Sequence, residues 1–311
     1  MVNETPVHIP NSIKFLFGGV AGMSAVCFTQ PLDLVKNRMQ VAKTKAHKTS
    51  FHVIRHILKT EGVLGIYNGL SAGVLRQGTY TTTRLGIYTW LFELASGPKG
   101  EPPNFFMKAG MGMAAGVIGS FIGNPTEVSL IRMTSDGHLP PAERRNYKNV
   151  FDAMFRISKE EGVRTLWRGA VPTMGRAMVV NAAQLASYSQ AKEGLLNSGY
   201  FKDNILLHFC ASMISGFVTT TASMPVDIAK TRIQNMKIVD GVPEYKNGID
   251  VLMKVVRNEG FFSLWKGFTP YFMRLGPHTV LVFIFLEQLN ALYKNYALTK
   301  QLNLKATAAK M

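Results

Sequence analysis

One motif occurs three times along this chain: Pro31-Leu-Asp33-Leu-Val-Lys36-Asn-Arg38-Met-Gln40, Pro125-Thr-Glu127-Val-Ser-Leu130-Ile-Arg132, and Pro225-Val-Asp227-Ile-Ala-Lys230-Thr-Arg232-Ile-Gln234. The period is about 100 residues, and repeats are the first thing a sequence reading should settle. A second signature keeps the same phase: Glu61-Gly62 to Tyr67-Asn68-Gly69, Glu161-Gly162 to Trp167-Arg168-Gly169, and Glu259-Gly260 to Trp265-Lys266-Gly267. Two motifs repeating together exclude coincidence. The chain is therefore three copies of one unit, and any fold proposed for it must accommodate three equivalent pieces.

Each unit reads as a long apolar segment through the Pro motif, a short amphipathic stretch ending at Glu-Gly, and a second apolar segment opening at the aromatic-x-Gly. The first segments contain charge-free runs, 15–32, 109–126 and 204–226, of the length at which a membrane-spanning helix is the default reading. An apolar fraction of 47% with only 17% charged residues agrees. The expectation is an all-α membrane protein of six transmembrane helices in three pseudo-symmetric repeats, 12–97, 104–197 and 203–297, with tails 1–11 and 298–311. Prolonged to Gln40, Thr134 and Gln234, each first segment is roughly 30 residues, or about 45 Å, longer than a hydrocarbon core of about 30 Å. Such helices must tilt or bend, and Pro31, Pro125 and Pro225 each remove a backbone donor where a bend would fall. Small residues four apart, Gly18 and Gly22, Gly112 and Gly116, Ser212 and Gly216, allow close helix packing in lipid. The stretches 52–60, 147–160 and 245–258 alternate apolar and charged residues at helical spacing and read as helices lying on the membrane surface.

The second segment of every unit carries a charge that lipid would penalise. Arg76, Arg176 and Arg274 stand nine residues after Tyr67, Trp167 and Trp265 respectively. Equivalent positions about an axis bring all three to one depth. A charge in a spanning helix costs about 2.5–3.5 kcal/mol on insertion scales, so three at equivalent places are read as lining an aqueous cavity. Guanidinium forks match carboxylates, and the implied ligand is a small polyanion, in keeping with a net charge of +16. Arg84 adds a cation two turns beyond Arg76, with Tyr80 between them. Asn181, Gln184 and His278 offer hydrogen bonds at comparable heights. The structural alternatives, ion pairing or reaching toward headgroups, stay open for each.

The Pro motif supplies a carboxylate in every unit, Asp33, Glu127 and Asp227, and a lysine in two, Lys36 and Lys230. At a threefold axis these close a ring of ion pairs between units, a gate if it opens and a static tie if it does not. The chain's two cysteines, Cys27 and Cys210, lie in apolar runs and read as small buried hydrophobes rather than a disulfide or metal pair. The N-terminus, MVNETPVHIPN, reads as neither a secretory signal nor an Arg-rich presequence. No nucleotide loop, dinucleotide fingerprint, metal spacing or nucleophile motif is legible, so no catalytic residue, cofactor or metal is expected.

The three Pro-x-Asp/Glu-x-x-Lys/Arg signatures, each followed by Glu-Gly and aromatic-x-Gly, resemble the mitochondrial carrier family over about residues 12–297. Within it, KFLFGG, TTTRLGIYT, NAAQLASYSQ and EGFFSLWKGFTPY resemble members that exchange 2-oxoglutarate for malate. The resemblance implies a monomeric carrier of the inner mitochondrial membrane that opens alternately to cytosol and matrix. It also implies termini on the cytosolic side, the short helices on the matrix side, and bound anionic lipid such as cardiolipin. The family's substrate contact points fall on Arg76, on Arg176 with Ala177, and on Arg274. Its matrix gate falls on Asp33, Lys36, Glu127, Asp227 and Lys230, with Leu130 where a sixth charge should stand. The usual pairing joins Glu127 to Lys230 and Asp227 to Lys36, and leaves Asp33 facing Leu130. Gln40 and Gln234 match the braces beneath that gate, and Thr134 replaces the third. The cytosolic gate maps to Tyr88, Thr89 and Phe92, to Tyr188, Ser189 and Lys192, and to Leu286, Glu287 and Asn290. No full ion pair can be assembled there, so hydroxyl and amide hydrogen bonds are expected instead. Two rivals remain: a sister carrier that exchanges malate against phosphate, or carries citrate, and a basic scaffold on membranes or nucleic acid, for which the charge is the only support and against which the long charge-free segments speak.

Overall fold

The computed structural model describes residues 11–42, 50–96, 104–137, 139–140, 143–199, 204–236, 238–239 and 242–308. It contains three copies of a long helix, a short helix and a second long helix: α1 (Asn11–Val41), α2 (Ser50–Thr60), α3 (Leu70–Ala95), α4 (Phe105–Asp136), α5 (Val150–Glu160), α6 (Ala170–Asn197), α7 (Ile205–Asn235), α8 (Gly248–Glu259) and α9 (Phe268–Ala308). The N-terminal tail falls almost wholly outside the described residues. Beyond 297, where a tail was expected, α9 continues to Ala308. A two-residue antiparallel ribbon, β1 (Ile238–Val239) with β2 (Val242–Pro243), interrupts the all-helical pattern between α7 and α8.

Sequence chemistry explains where these elements begin. Asn104, Asn149, Asn204 and Asn247 cap α4, α5, α7 and α8, each side-chain oxygen accepting from the backbone N–H three residues on. Asp152 and Asp250 reach back to accept from the N–H of Lys148 and Lys246, closing a reciprocal cap. The second long helices of the first two repeats, α3 and α6, open after Gly69 and Gly169, and α9 follows Gly267; all three glycines hold φ near +80 to +90°. A Cβ on Gly69 would lie 2.8 Å from Thr134 Cγ2, and one on Gly169 2.8 Å from Gln234 Cγ. On Gly267 it would lie 3.3 Å from the Lys36 carbonyl oxygen. The glycine of each aromatic-x-Gly thus lets one repeat abut the long helix of the next.

The six long helices form a ring in which each touches the next in chain order and α9 returns to α1. Pro31, Pro125 and Pro225 lie inside α1, α4 and α7, which continue about three turns beyond them. Beyond the prolines these three helices are mostly buried and touch one another, whereas most residues of their first halves and of α3, α6 and α9 are exposed or half-buried. The bundle therefore closes at the Pro-motif end and widens toward the other. Gly116 faces Asn181 and Ala177, and Gly119 and Gly123 face Arg84 and Tyr80, so α4 packs closely on both its neighbours, while Gly112 meets nothing.

Among the described residues, three helical stretches are long and apolar enough to cross a membrane by composition alone, Phe106–Asp136, Leu206–Asn235 and Phe261–Ala297. The others carry more charge, and much of it faces the interior, as in Asp33, Lys36 and Arg38 of α1. On the surface helices, Val53 and Ile57, Ala153 and Ile157, and Val251 and Val255 are buried. Phe51, Phe151 and Ile249 are 72%, 69% and 67% exposed at equivalent places, as an interfacial helix requires. Cys27 and Cys210, expected to be buried, are half-buried and unbridged.

Candidate functional site

The closed end of the bundle is held by two rings. The outer one explains both repeat signatures at once. Arg38, Arg132 and Arg232 are buried and grip Glu61, Glu161 and Glu259 of their own repeats in bidentate pairs, with Nη2–Oε2 distances of 2.8, 2.9 and 3.0 Å. Each guanidinium also donates through Nε to a backbone carbonyl of the next repeat: Arg38 to Thr134 at 2.9 Å, Arg132 to Gln234 at 3.3 Å and Arg232 to Gln40 at 3.1 Å. Every repeat is thereby tied to the next, and the third to the first. Burial pushes the three glutamate carboxyls up, but the guanidiniums outweigh it and hold each below its ordinary value.

The inner ring lies about half a turn to one and a half turns above. Lys36 Nζ donates to Asp227 Oδ2 at 2.6 Å and Lys230 Nζ to Glu127 Oε1 at 2.5 Å, the two pairings implied by the resemblance. The third carboxylate does not merely face Leu130. Asp33 accepts from Arg274 Nη1 at 2.8 Å, its one ion-pair partner among the described residues. The other two cavity arginines do the same: Arg76 lies 3.7 Å from Glu127, and Arg176 pairs with Asp227. The pattern is cyclic, the arginine of each repeat meeting the carboxylate of the next. A cavity of about 40 Å³ remains between these groups, and Leu130 lines it.

The remaining predicted residues are distributed unevenly. Tyr80 and Arg84 lie along the α3–α4 contact, and Arg84 is exposed and makes no ion pair among the described residues. Asn181 donates its amide to the Ala177 carbonyl of its own helix at 2.7 Å, and Gln184 is exposed, its backbone carbonyl accepting from Ser215. His278 lies four residues beyond Arg274, half-buried, with a buried Nδ1 that has no hydrogen-bond partner among the described residues. Gln40 and Gln234 brace neighbouring helices rather than the ion pairs: Gln40 accepts from Thr231, and Gln234 donates to Asn124 and Thr173. Thr134 accepts from Asn37. Toward the wide end, the Tyr88 ring lies tilted against Phe92, Tyr188 shares a 2.6 Å hydrogen bond with His208, and Glu287 is exposed. Lys192 is half-buried on α6, one turn beyond Tyr188.

One participant was missed. Buried Tyr271 accepts from Arg176 Nη2 at 2.9 Å, and its ring lies 4.0 Å beneath the Lys36 ammonium. Its counterparts in the other repeats are Gly73 and Thr173, so comparing repeats hides it. The available signal was a phenol one turn before Arg274, on the face that carries the charge.

The family model described as mitochondrial carrier protein matches residues 7–98, 101–199 and 201–297. The mitochondrial 2-oxoglutarate/malate carrier protein of Homo sapiens is 69% identical over 302 residues, covering 96% of each chain. Its Mus musculus counterpart is 71% identical over 298 residues, covering 94% of this chain and 95% of the relative. The Caenorhabditis elegans protein of the same description is 63% identical over 295 residues, covering 94% and 96%.

Proposed function

The chain belongs to the mitochondrial carrier family, and from that membership we propose that it is an antiporter exchanging 2-oxoglutarate for malate or related dicarboxylates by alternating access. It is a multi-pass protein of the inner mitochondrial membrane and a transporter rather than an enzyme. The observation that carries the substrate reading is that Arg76, Arg176 and Arg274 each hold a gate carboxylate at the floor of a cavity open at its other end. A dicarboxylate arriving there offers the arginines the same chemical group as Asp33, Glu127 and Asp227. Its binding draws guanidiniums away from the ring and loosens the contacts that close the floor. Helices α3, α6 and α9 follow their arginines inward, and Tyr88, Tyr188, Lys192 and Glu287 approach to close the wide end. An empty site restores the arginines to the gate, so return without an anion is slow and transport is exchange. Arg84, Tyr80, Asn181 and Gln184 line the approach and position the anion's second carboxylate and C2 oxygen. In this reading the wide end and both termini face the cytosol. Anionic lipid such as cardiolipin seats against the surface helices, and one chain suffices for transport.

The test is uptake of labelled 2-oxoglutarate by liposomes holding the purified protein, with internal malate, citrate, phosphate or nothing. Uptake should require malate or 2-oxoglutarate inside. Exchange driven best by citrate or phosphate would replace the substrate. Arg76→Ala, Arg176→Ala and Arg274→Ala should each lower exchange by at least about tenfold, the loss of one charge-assisted contact. Undiminished exchange by any of them removes that residue from the site.

A further inference from the structure

Two repeats place a lysine five residues after the motif proline and the third places Leu130. Leu130 is 5% exposed and lines the same small cavity as Asp33, Lys36 and Lys230, so it occupies the lysine's place in the ring. The ring and the arginines above it then comprise five cations, Lys36, Lys230, Arg76, Arg176 and Arg274, and three carboxylates, Asp33, Glu127 and Asp227, whereas Arg84, two turns beyond Arg76 and exposed, keeps its solvent and stands outside this count. With every group in its ordinary charge state, two positive charges are left over. An anion that displaces the carboxylates from the arginines adds its own charge to this cluster, and a dianion brings the sum to zero. Charge left uncompensated in a closed, water-poor site is costly, so the cluster's net charge selects the valence of the anion with which it closes.

We propose that Leu130 is a specificity-determining residue: by withholding the third lysine it leaves the closed cluster in need of two negative charges, and so matches it to dianions over trianions. The absent lysine also leaves Asp33 to Arg274, which makes that pair the one where a substrate carboxylate competes with a single attachment. This inference rests on the dicarboxylate reading above and adds the rule by which the site counts charge.

Two anions sharing one carbon chain test it: glutarate, a dianion, and tricarballylate, which adds one carboxylate at the middle carbon. Both compete for uptake of labelled 2-oxoglutarate at a pH where the second is a trianion. Leu130→Lys and Asp33→Asn raise the cluster by one positive charge through different changes at different places. Both should shift the tricarballylate-to-glutarate preference toward the trianion by roughly tenfold relative to the unsubstituted protein. Leu130→Met, a steric change without charge, should shift it far less. If exchange by a variant is too slow to read, the same ratio is taken from the thermal shift that each anion produces in the solubilised protein. An unmoved ratio in both charge variants, a shift in only one of them, or an equal shift in Leu130→Met would each overturn the proposal. Failure of the unsubstituted protein to exchange any dicarboxylate would instead overturn the function on which it rests.

Discussion

At the scale of the residue, the Arg–Glu pairs of the outer ring carry the clearest energetic consequence. The Arg132 side chain is 0% exposed, so truncating its partner strands a charge without solvent. Glu161→Ala should cost about 3–5 kcal/mol, read as a fall in the thermal midpoint of the solubilised protein. Glu61, Glu161 and Glu259 are held below their ordinary value of 4.5 by guanidiniums that outweigh desolvation. A carboxylate whose folded value is depressed stabilises above its unfolded value and loses that contribution as pH falls through the folded one. Thermal stability should therefore hold from neutrality to about pH 4.5 and decline below it. Glu161→Gln should start lower and lose less over that acidic range; an equal loss would place the titration elsewhere. Tyr271 marks the limit of reading residues by repeat: a contributor present in one unit has no echo in the others.

Elements meet through glycines whose role is geometric. Gly169 combines φ of +79° with a Cβ position 2.8 Å from Gln234 Cγ, at the junction of two repeats. Gly169→Ala should destabilise by about 2 kcal/mol, through left-handed strain and the displacement of a buried side chain. Gly175→Ala, inside α6 with nothing within 4 Å, should be neutral or stabilise by up to about 1 kcal/mol. Comparing the two thermal midpoints separates packing at the junction from helix propensity. Helix existence was legible in the sequence because apolar period and Pro position act within a turn or two, whereas the end of α9 was not, since it runs to Ala308 past the expected end at 297. The ribbon β1–β2 was not, because its pairing depends on where α7 and α8 leave the chain between them.

For the whole molecule, the rings are closed circuits, and disturbing one link should be felt at all three junctions. Saturating 2-oxoglutarate, by taking arginines from Asp33, Glu127 and Asp227, should raise amide hydrogen exchange in the buried final turns of α1, α4 and α7 together. Faster exchange in one helix alone would mean that the repeats open independently. The same circuits explain why burial is concentrated at one end: there each of α1, α4 and α7 meets the other two, and at the other end each meets only its neighbours among α3, α6 and α9.

From sequence alone came the threefold repeat, six long and three short helices, the equivalence of Arg76, Arg176 and Arg274, and the carboxylates and lysines of the inner ring. These follow from periodicity and spacing, which are properties of position along the chain. The partners came only from tertiary structure: Asp33 with Arg274 instead of an unanswered place opposite Leu130, Gln40 and Gln234 as helix braces, and Tyr271 beneath Lys36. A spacing says that three charges share a depth, but which oxygen a guanidinium takes depends on distances across the axis, and those exist only once the three repeats have closed around it.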